Sequence, residues 1–153
     1  MDRIELKVHS LVLELCGKRE PADGLQAKFS IYHACAAGLV FGRAGEGEYH
    51  DEVVNRPDMV ALRRKVVATV DERIGEDQAD VTAVLHDGRR IRVFIEHAIG
   101  SMHRPMTDAD LEAKFHGQAD EVLGRDRVQA LIDACWGTGA APDVRTLVQK
   151  ACP

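Results

Sequence analysis

Lys28, Ser30, Tyr32 and His33 form the densest group of chemically able side chains in this 153-residue chain. A lysine and a hydroxyl can hold a carboxylate, and a phenol or an imidazole can orient the acid or relay a proton. The four crowd the first turns of the segment LQAKFSIYHACAAGLVFG, Leu25 to Gly42, which has helical period. At about 100° per residue, Phe29, Tyr32, His33, Ala36 and Val40 share one stripe, and Ile31, Cys35, Gly38 and Leu39 fill much of the remainder. A helix apolar nearly all round is expected to be enclosed by other structure. Its start would offer free N–H groups and a positive dipole end to an anion. The plain alternative is an exposed Lys28, a capping Ser30, and Tyr32 and His33 as satisfied core residues.

Other groups promise less. The loop Gly100–Pro105 (GSMHRP) could aim His103 and Arg104 at an anion, but turning the chain is sufficient reason for it. His97, His103 and His116 lack the i, i+4 spacing of a ligand pair, and no Cys or carboxylate completes a set, so no metal is expected. GRAGEG at Gly42–Gly47 follows a helix and lacks the GK[ST] ending of a phosphate loop; it reads as a turn-forming loop. Cys16, Cys35, Cys135 and Cys152 show no CxxC spacing and read as reduced thiols.

With 45% apolar and 29% charged residues, the chain has the make-up of one ordinary globular domain with a real core. A net charge of −5 without a basic cluster argues against a nucleic-acid partner. The longest apolar run, Ala34–Phe41, is too short to span a membrane. The N-terminus MDRIELKVHS lacks the layout of a secretory signal, so the cytoplasm is the expected location.

The elements that must position these groups can be read from period and turn signals. Ile4 to Leu15 alternates as one strand or two short ones. Short helices are expected over Asp51–Asn55 and after Asp58, the latter capped by Asp58 with Met59, Val60, Leu62 and Val66 inward. Val66–Val70 reads as a strand. Asp80–His86 and Arg90–Glu96 alternate around Asp87-Gly88, a strong hairpin signal, with Ile91, Val93 and Ile95 facing the core. Thr107 with Asp110 resembles a capping box for a helix whose inward stripe is Leu111, Phe115, Ala119, Val122 and Leu123. A last helix over Asp126–Cys135 buries Val128, Leu131 and Ile132, and 137–153 is a tail with one helical turn near Val144–Gln149. The expected fold class is α+β: an antiparallel sheet with a central hairpin and helices packed on it in two layers.

Two segments, AKFSIYHACAAGLVFGRAG and HAIGSMHRPMTDADLEAKF, resemble the C-terminal region of the MmgE/PrpD family. The KFS at Lys28–Ser30, the NRP at Asn55–Pro57, Asp87-Gly88, the stretch Gly100–Asp108 and LEAKF at Leu111–Phe115 occur in the family's order, covering roughly Arg3 to Ile132. The resemblance implies a lyase without cofactor, acting on a di- or tricarboxylate by dehydration, decarboxylation or epimerisation. It implies a homodimer, and an active site between this α+β domain (1–136) and a large helical N-terminal domain that carries most acid/base residues. On this resemblance Lys28 and Ser30 are substrate-binding candidates and Tyr32 and His33 catalytic ones. Many family members place a tyrosine three residues after the serine of KFS; His33 stands there, with Tyr32 one residue before. The alternative is a non-catalytic packing or dimerisation domain that presents an uncovered apolar patch.

Overall fold

Ile4, Leu6 and Val8 alternate with Arg3, Glu5 and Lys7, so an extended chain puts the two sets on opposite faces. They form β1 (Arg3–Val8), whose apolar set is buried. The computed structural model describes residues 1–152; Pro153, the end of the expected tail, lies outside the described residues. With β2 (Val66–Val70), β3 (Ala79–Val84) and β4 (Arg90–Ile95), β1 builds a four-stranded sheet in the order β2-β1-β3-β4. Together with its helices this is the expected α+β class. One pair, β1 with β2, is parallel, with Ile4 beside Val66, because the helical stretch between them returns the chain to the same end of the sheet. The other pairs are antiparallel, with Leu6 opposite Val81 and Val81 opposite Val93.

The hairpin forms around Asp87-Gly88 as expected. Gly88 adopts φ +83°, a conformation that favours glycine, and the Leu85 N–H donates to the Arg89 carbonyl at 2.9 Å. β4 is nevertheless an edge of the sheet, and the expected burial of its apolar face does not occur: Ile91 is 56% and Val93 52% exposed. The buried cluster of Ile4, Leu6, Val8, Tyr32, Val66 and Ala68 lies over β1 and β2, and the helices packed on that cluster do not extend to β4.

The Ile4–Leu15 strand ends at Val8. Ser10–Cys16 is helix α1, started by His9, whose Nδ1 accepts from the Leu11 N–H at 3.2 Å. LVLEL fits a strand and one helical turn equally well, and the cap decides for helix. The single helix expected over Leu25–Gly42 is two. α2 (Gly24–Ala27) is capped by Asp23, and α3 (Ile31–Phe41) by Ser30. α3 is enclosed on one face only: Tyr32, His33, Ala36 and Ala37 are buried, while Leu39 and Val40 are exposed. Ala36 and Ala37 pack with Met59 of α5 (Pro57–Arg63), which follows the short α4 (Asp51–Val54). Asp58 is not the cap of α5. That place is taken by Arg56, with Pro57 at the first helical position, where a missing N–H costs nothing.

Contacts divide the chain into two compact units, Met1–Pro105 and the part from Met106 onward. In the second, Thr107 caps α6 (Asp108–Leu123) in the expected box: its Oγ1 accepts from the Asp110 N–H at 3.2 Å, and its own N–H donates to Asp110 Oδ2 at 2.9 Å. α7 (Arg125–Trp136) buries Val128, Leu131 and Ile132 as expected, and α8 (Arg145–Ala151) forms where a helical turn was expected, running two residues further. The inward stripe of α6 is narrower than its sequence suggests, since Leu111 and Val122 are exposed. Two helices meeting along one seam cover only part of a wide apolar stripe.

Ala36 has no exposed surface, so Ala36→Leu must force extra volume between α3 and α5. We expect it to lower stability by about 1–3 kcal/mol, read from the urea midpoint. An unchanged midpoint would show that this face of α3 is not packed as described.

Candidate functional site

The site begins at the break between α2 and α3. Ser30 leaves the helical conformation, with φ −128° and ψ 101°, and its Oγ accepts from the His33 N–H at 3.1 Å. This satisfies one of the unpaired donors at a helix start. Side chains on either side of the cap then diverge. Tyr32, 3% exposed, enters the cluster over β1, and the Arg19 guanidinium lies over its ring, 4.9 Å from the centroid. Lys28 stays at the surface, its Nζ 2.8 and 3.0 Å from the two carboxylate oxygens of Glu46. That ammonium holds the Glu46 carboxyl below its ordinary range.

His33 is fully buried. Its Nε2 lies 2.8 Å from the backbone carbonyl of Glu48. A carbonyl only accepts, so Nε2 carries the proton and Nδ1 is left as a lone pair with no hydrogen-bond partner. Burial, which opposes the charged imidazolium, lowers its pKa despite the carbonyl contact, and the nearby Arg63 pushes the same way. The Tyr49 ring meets His33 edge-on at 5.2 Å. The structure thus brings Lys28, Ser30 and His33 around one helix start, and turns Tyr32 into the core beside it.

The loop after α3, expected to be a plain turn, contains a 3₁₀ turn over Glu46–Tyr49 that closes this end of α3. Glu48 is buried. Its carboxylate accepts from the Gly45 N–H at 2.8 Å and from Arg43 Nε–H at 2.9 Å, while its carbonyl accepts from the His33 Nε2–H. Arg63 is also buried and donates to the carbonyls of Val54 at 2.7 Å and Pro21 at 3.3 Å. Glu48, Tyr49 and Arg63 escaped the sequence reading. Glu48 makes only the half of a capping box that its own carboxylate supplies, since Gly45 has no side chain to return the bond, and nothing local marks Arg63 as buried.

His97 and His103 lie outside this group, with ring centroids 4.6 Å apart, and His97 Nδ1 is 2.8 Å from Asp77. The Gly100–Pro105 loop is tied by a bond from the Gly100 N–H to the Arg104 carbonyl at 2.8 Å. His116 bonds Asp120 within α6 at 2.8 Å. Among the described residues no group of three or more His, Cys, Asp or Glu side chains could hold a metal ion. On the sheet face away from the helices, Glu5, Lys7, Asp80, Thr82, Arg90 and Arg92 line a shallow depression. Its guanidiniums are engaged, with Arg92 bidentate to Asp80 at 2.8 Å and Arg90 on Glu5, so it is a self-neutralised ladder and not an open anion site. Burial pushes the Cys35 thiol up to about 11, which removes it as a nucleophile at neutral pH.

The neutral, buried His33 makes stability depend on pH. Its folded pKa lies below the ordinary value of 6.5, so the unfolded chain takes up a proton that the folded chain refuses. Its contribution is complete above that ordinary value and falls away as pH drops toward the folded pKa. In His33→Gln, urea midpoints measured between pH 7 and pH 5 should decline less steeply than in the parent. Equal slopes would sink the assignment of that acid sensitivity to His33.

Among characterised proteins, the chain is 26% identical over 136 residues to the cis-aconitate decarboxylase of Mus musculus, covering 86% of this chain and 28% of that protein. It is 27% identical over 115 residues to the 2-methylcitrate dehydratase of Salmonella typhimurium, covering 68% and 24% respectively. The cis-aconitate decarboxylase of Homo sapiens is 24% identical over 120 residues, covering 73% and 24%. The matched part is therefore about a quarter of the length of these relatives. The MmgE/PrpD C-terminal domain matches residues 1–138, and with nine-tenths of its length inside that match the chain belongs to this family.

Proposed function

We propose that this chain is the C-terminal α+β part of a MmgE/PrpD-like lyase acting on a citrate- or aconitate-type di- or tricarboxylic acid. The observation that carries the reading is the family match across 1–138, together with relatives named as a decarboxylase and a dehydratase. Proton abstraction beside a carboxylate followed by loss of water or carbon dioxide is acid/base chemistry, and the reading invokes no cofactor. Dehydration is the preferred reaction, with decarboxylation and epimerisation as its neighbours.

In this reading Lys28 meets a substrate carboxylate. Its ammonium is at the surface and already holds a carboxylate, that of Glu46, which a substrate would displace. Ser30 fixes the helix start beneath it. Tyr32 and His33, buried as they are, act as positioning residues, and contact with substrate would require the 3₁₀ turn Glu46–Tyr49 to lift away. Most acid/base groups belong to a helical N-terminal domain, so the isolated chain is proposed to be inactive. The whole enzyme is proposed to be a cytoplasmic homodimer with no nucleic-acid or membrane partner; no helix among the described residues is long and apolar enough to cross a membrane.

Lys28→Ala in an enzyme reconstituted with such a domain tests the assignment. Loss of one charge-assisted bond, about 1.5–3 kcal/mol, should raise KM for the acid roughly 10- to 100-fold. Unchanged KM and turnover would remove Lys28 from the site.

A second reading, a non-catalytic packing domain, is favoured by the bare apolar residues of β4. It predicts that the isolated chain binds a hydrophobic dye and self-associates on concentration. A monomer that binds no dye at high concentration would count against it.

A further inference from the structure

We infer that Arg19 is a second carboxylate-binding residue of the proposed site, and that it sets a preference for acids carrying more than one carboxylate. The inference rests on the lyase reading above and deepens it. Lys28 supplies one cationic contact, whereas a citrate- or aconitate-type acid brings several carboxylates that must each be held. Every contact used below lies within Met1–Pro105. Backbone pairing fixes where Arg19 emerges. Gly17 pairs with Ser30 in an antiparallel bridge, and the Lys18 N–H donates to the Phe29 carbonyl at 3.1 Å. Two residues further on, Pro21 is fully buried and its carbonyl accepts from Arg63. The short run that carries Arg19 is therefore pinned at both ends, alongside the residues that lead from Lys28 to the Ser30 cap.

The side chain is held but not satisfied. Its guanidinium lies over the Tyr32 ring, 4.9 Å from the centroid, and among the described residues it has no hydrogen bond or ion pair. Attraction to the ring positions the charge without giving its N–H donors an oxygen acceptor. The other arginines around these helices are committed. Arg43 bonds Glu48, Arg56 bonds Asp58, Arg63 bonds the Val54 carbonyl and Arg64 bonds Glu20. Glu20, next to Arg19 in the chain, turns away to Arg64 at 2.9 Å and stands 3.7 Å from Arg63. Arg19 is thus left with the planar fork that matches a carboxylate, held in place by an aromatic ring beforehand. Lys28 stands two residues before the Ser30 cap, and Tyr32, which carries Arg19, two residues after it. An acid whose first carboxylate replaces Glu46 on Lys28 meets the guanidinium with another. This also gives the buried Tyr32 a task in the site, as the platform on which Arg19 rests.

Kinetics of the reconstituted enzyme test the assignment, with tricarballylate and its monoamides as competitive inhibitors. Arg19→Gln should raise KM for the acid, and the inhibition constant of tricarballylate, by about 10-fold or more, with the loss falling on KM and not on turnover. Against the monoamide that lacks the carboxylate met by Arg19, the same substitution should cost nothing. Arg19→Lys, which keeps the charge and the stem over the ring, should recover part of the loss. An unchanged KM in Arg19→Gln beside a raised one in Lys28→Ala overturns the inference and leaves the lyase reading standing. Equal losses for tricarballylate and for every monoamide also overturn it, because they mark a guanidinium that only covers Tyr32. Inorganic phosphate inhibiting the parent as strongly as tricarballylate overturns it as well, by showing an anion site that does not select carboxylates. A parent enzyme that turns over no citrate- or aconitate-type acid removes the lyase reading, and the inference falls with it.

Discussion

Ser30 interrupts a sequence whose period would carry one helix from Leu25 to Gly42, and the geometry of the candidate site follows from that interruption. By accepting the His33 N–H, its hydroxyl starts α3 one residue later and satisfies a donor that burial would otherwise strand. From that start Tyr32 goes into the cluster over β1 and β2. His33 turns to the Glu48 carbonyl and pins the 3₁₀ turn against the helix, and that turn carries Glu46 to Lys28. The surface ion pair and the buried imidazole are two ends of one construction. A change that loosened the cap would disturb both.

The two faces of the sheet handle their side chains by different physics. Over β1 and β2, branched aliphatic side chains and Tyr32 exclude water, and the stabilisation follows the apolar area removed from it. On the opposite face arginines and carboxylates pair across strands: Arg92 of β4 holds Asp80 on the adjacent β3, and Arg90 reaches over β3 to Glu5 on β1. Such pairs are partly exposed and contribute little stability individually. Their effect is to neutralise the face and to cover Asp80 and Thr82, which are buried beneath longer charged stems. β4 is left with Ile91 and Val93 uncovered on the apolar face, beyond the cluster over β1 and β2.

In the proposed lyase the domain works as a wall and not as the source of the chemistry. A neutral His33 with its only proton committed to a carbonyl is suited to holding a loop. A surface ammonium paired with a carboxylate is suited to exchanging that carboxylate for another. The first role belongs to folding and the second to recognition, and the predicted outcomes for His33→Gln and Lys28→Ala separate them.

What the sequence alone determined was set by interactions a few residues long. The Thr107–Asp110 box, the Asp87-Gly88 hairpin, the buried stripe of α7 and the α+β class all depend on spacing along the chain and were legible there. So was the family, because colinear motifs survive at a quarter identity. The tertiary structure decided whatever depends on which distant segment arrives. The parallel pairing of β1 with β2, the burial of Arg63 under Val54 and Pro21, the choice of Glu48 as partner for His33 and the exposure of Ile91 and Val93 are of this kind. Apolar and polar character along a strand or helix states which face can be buried. Whether another element covers that face is a property of packing between segments far apart in the chain, and no local pattern encodes it.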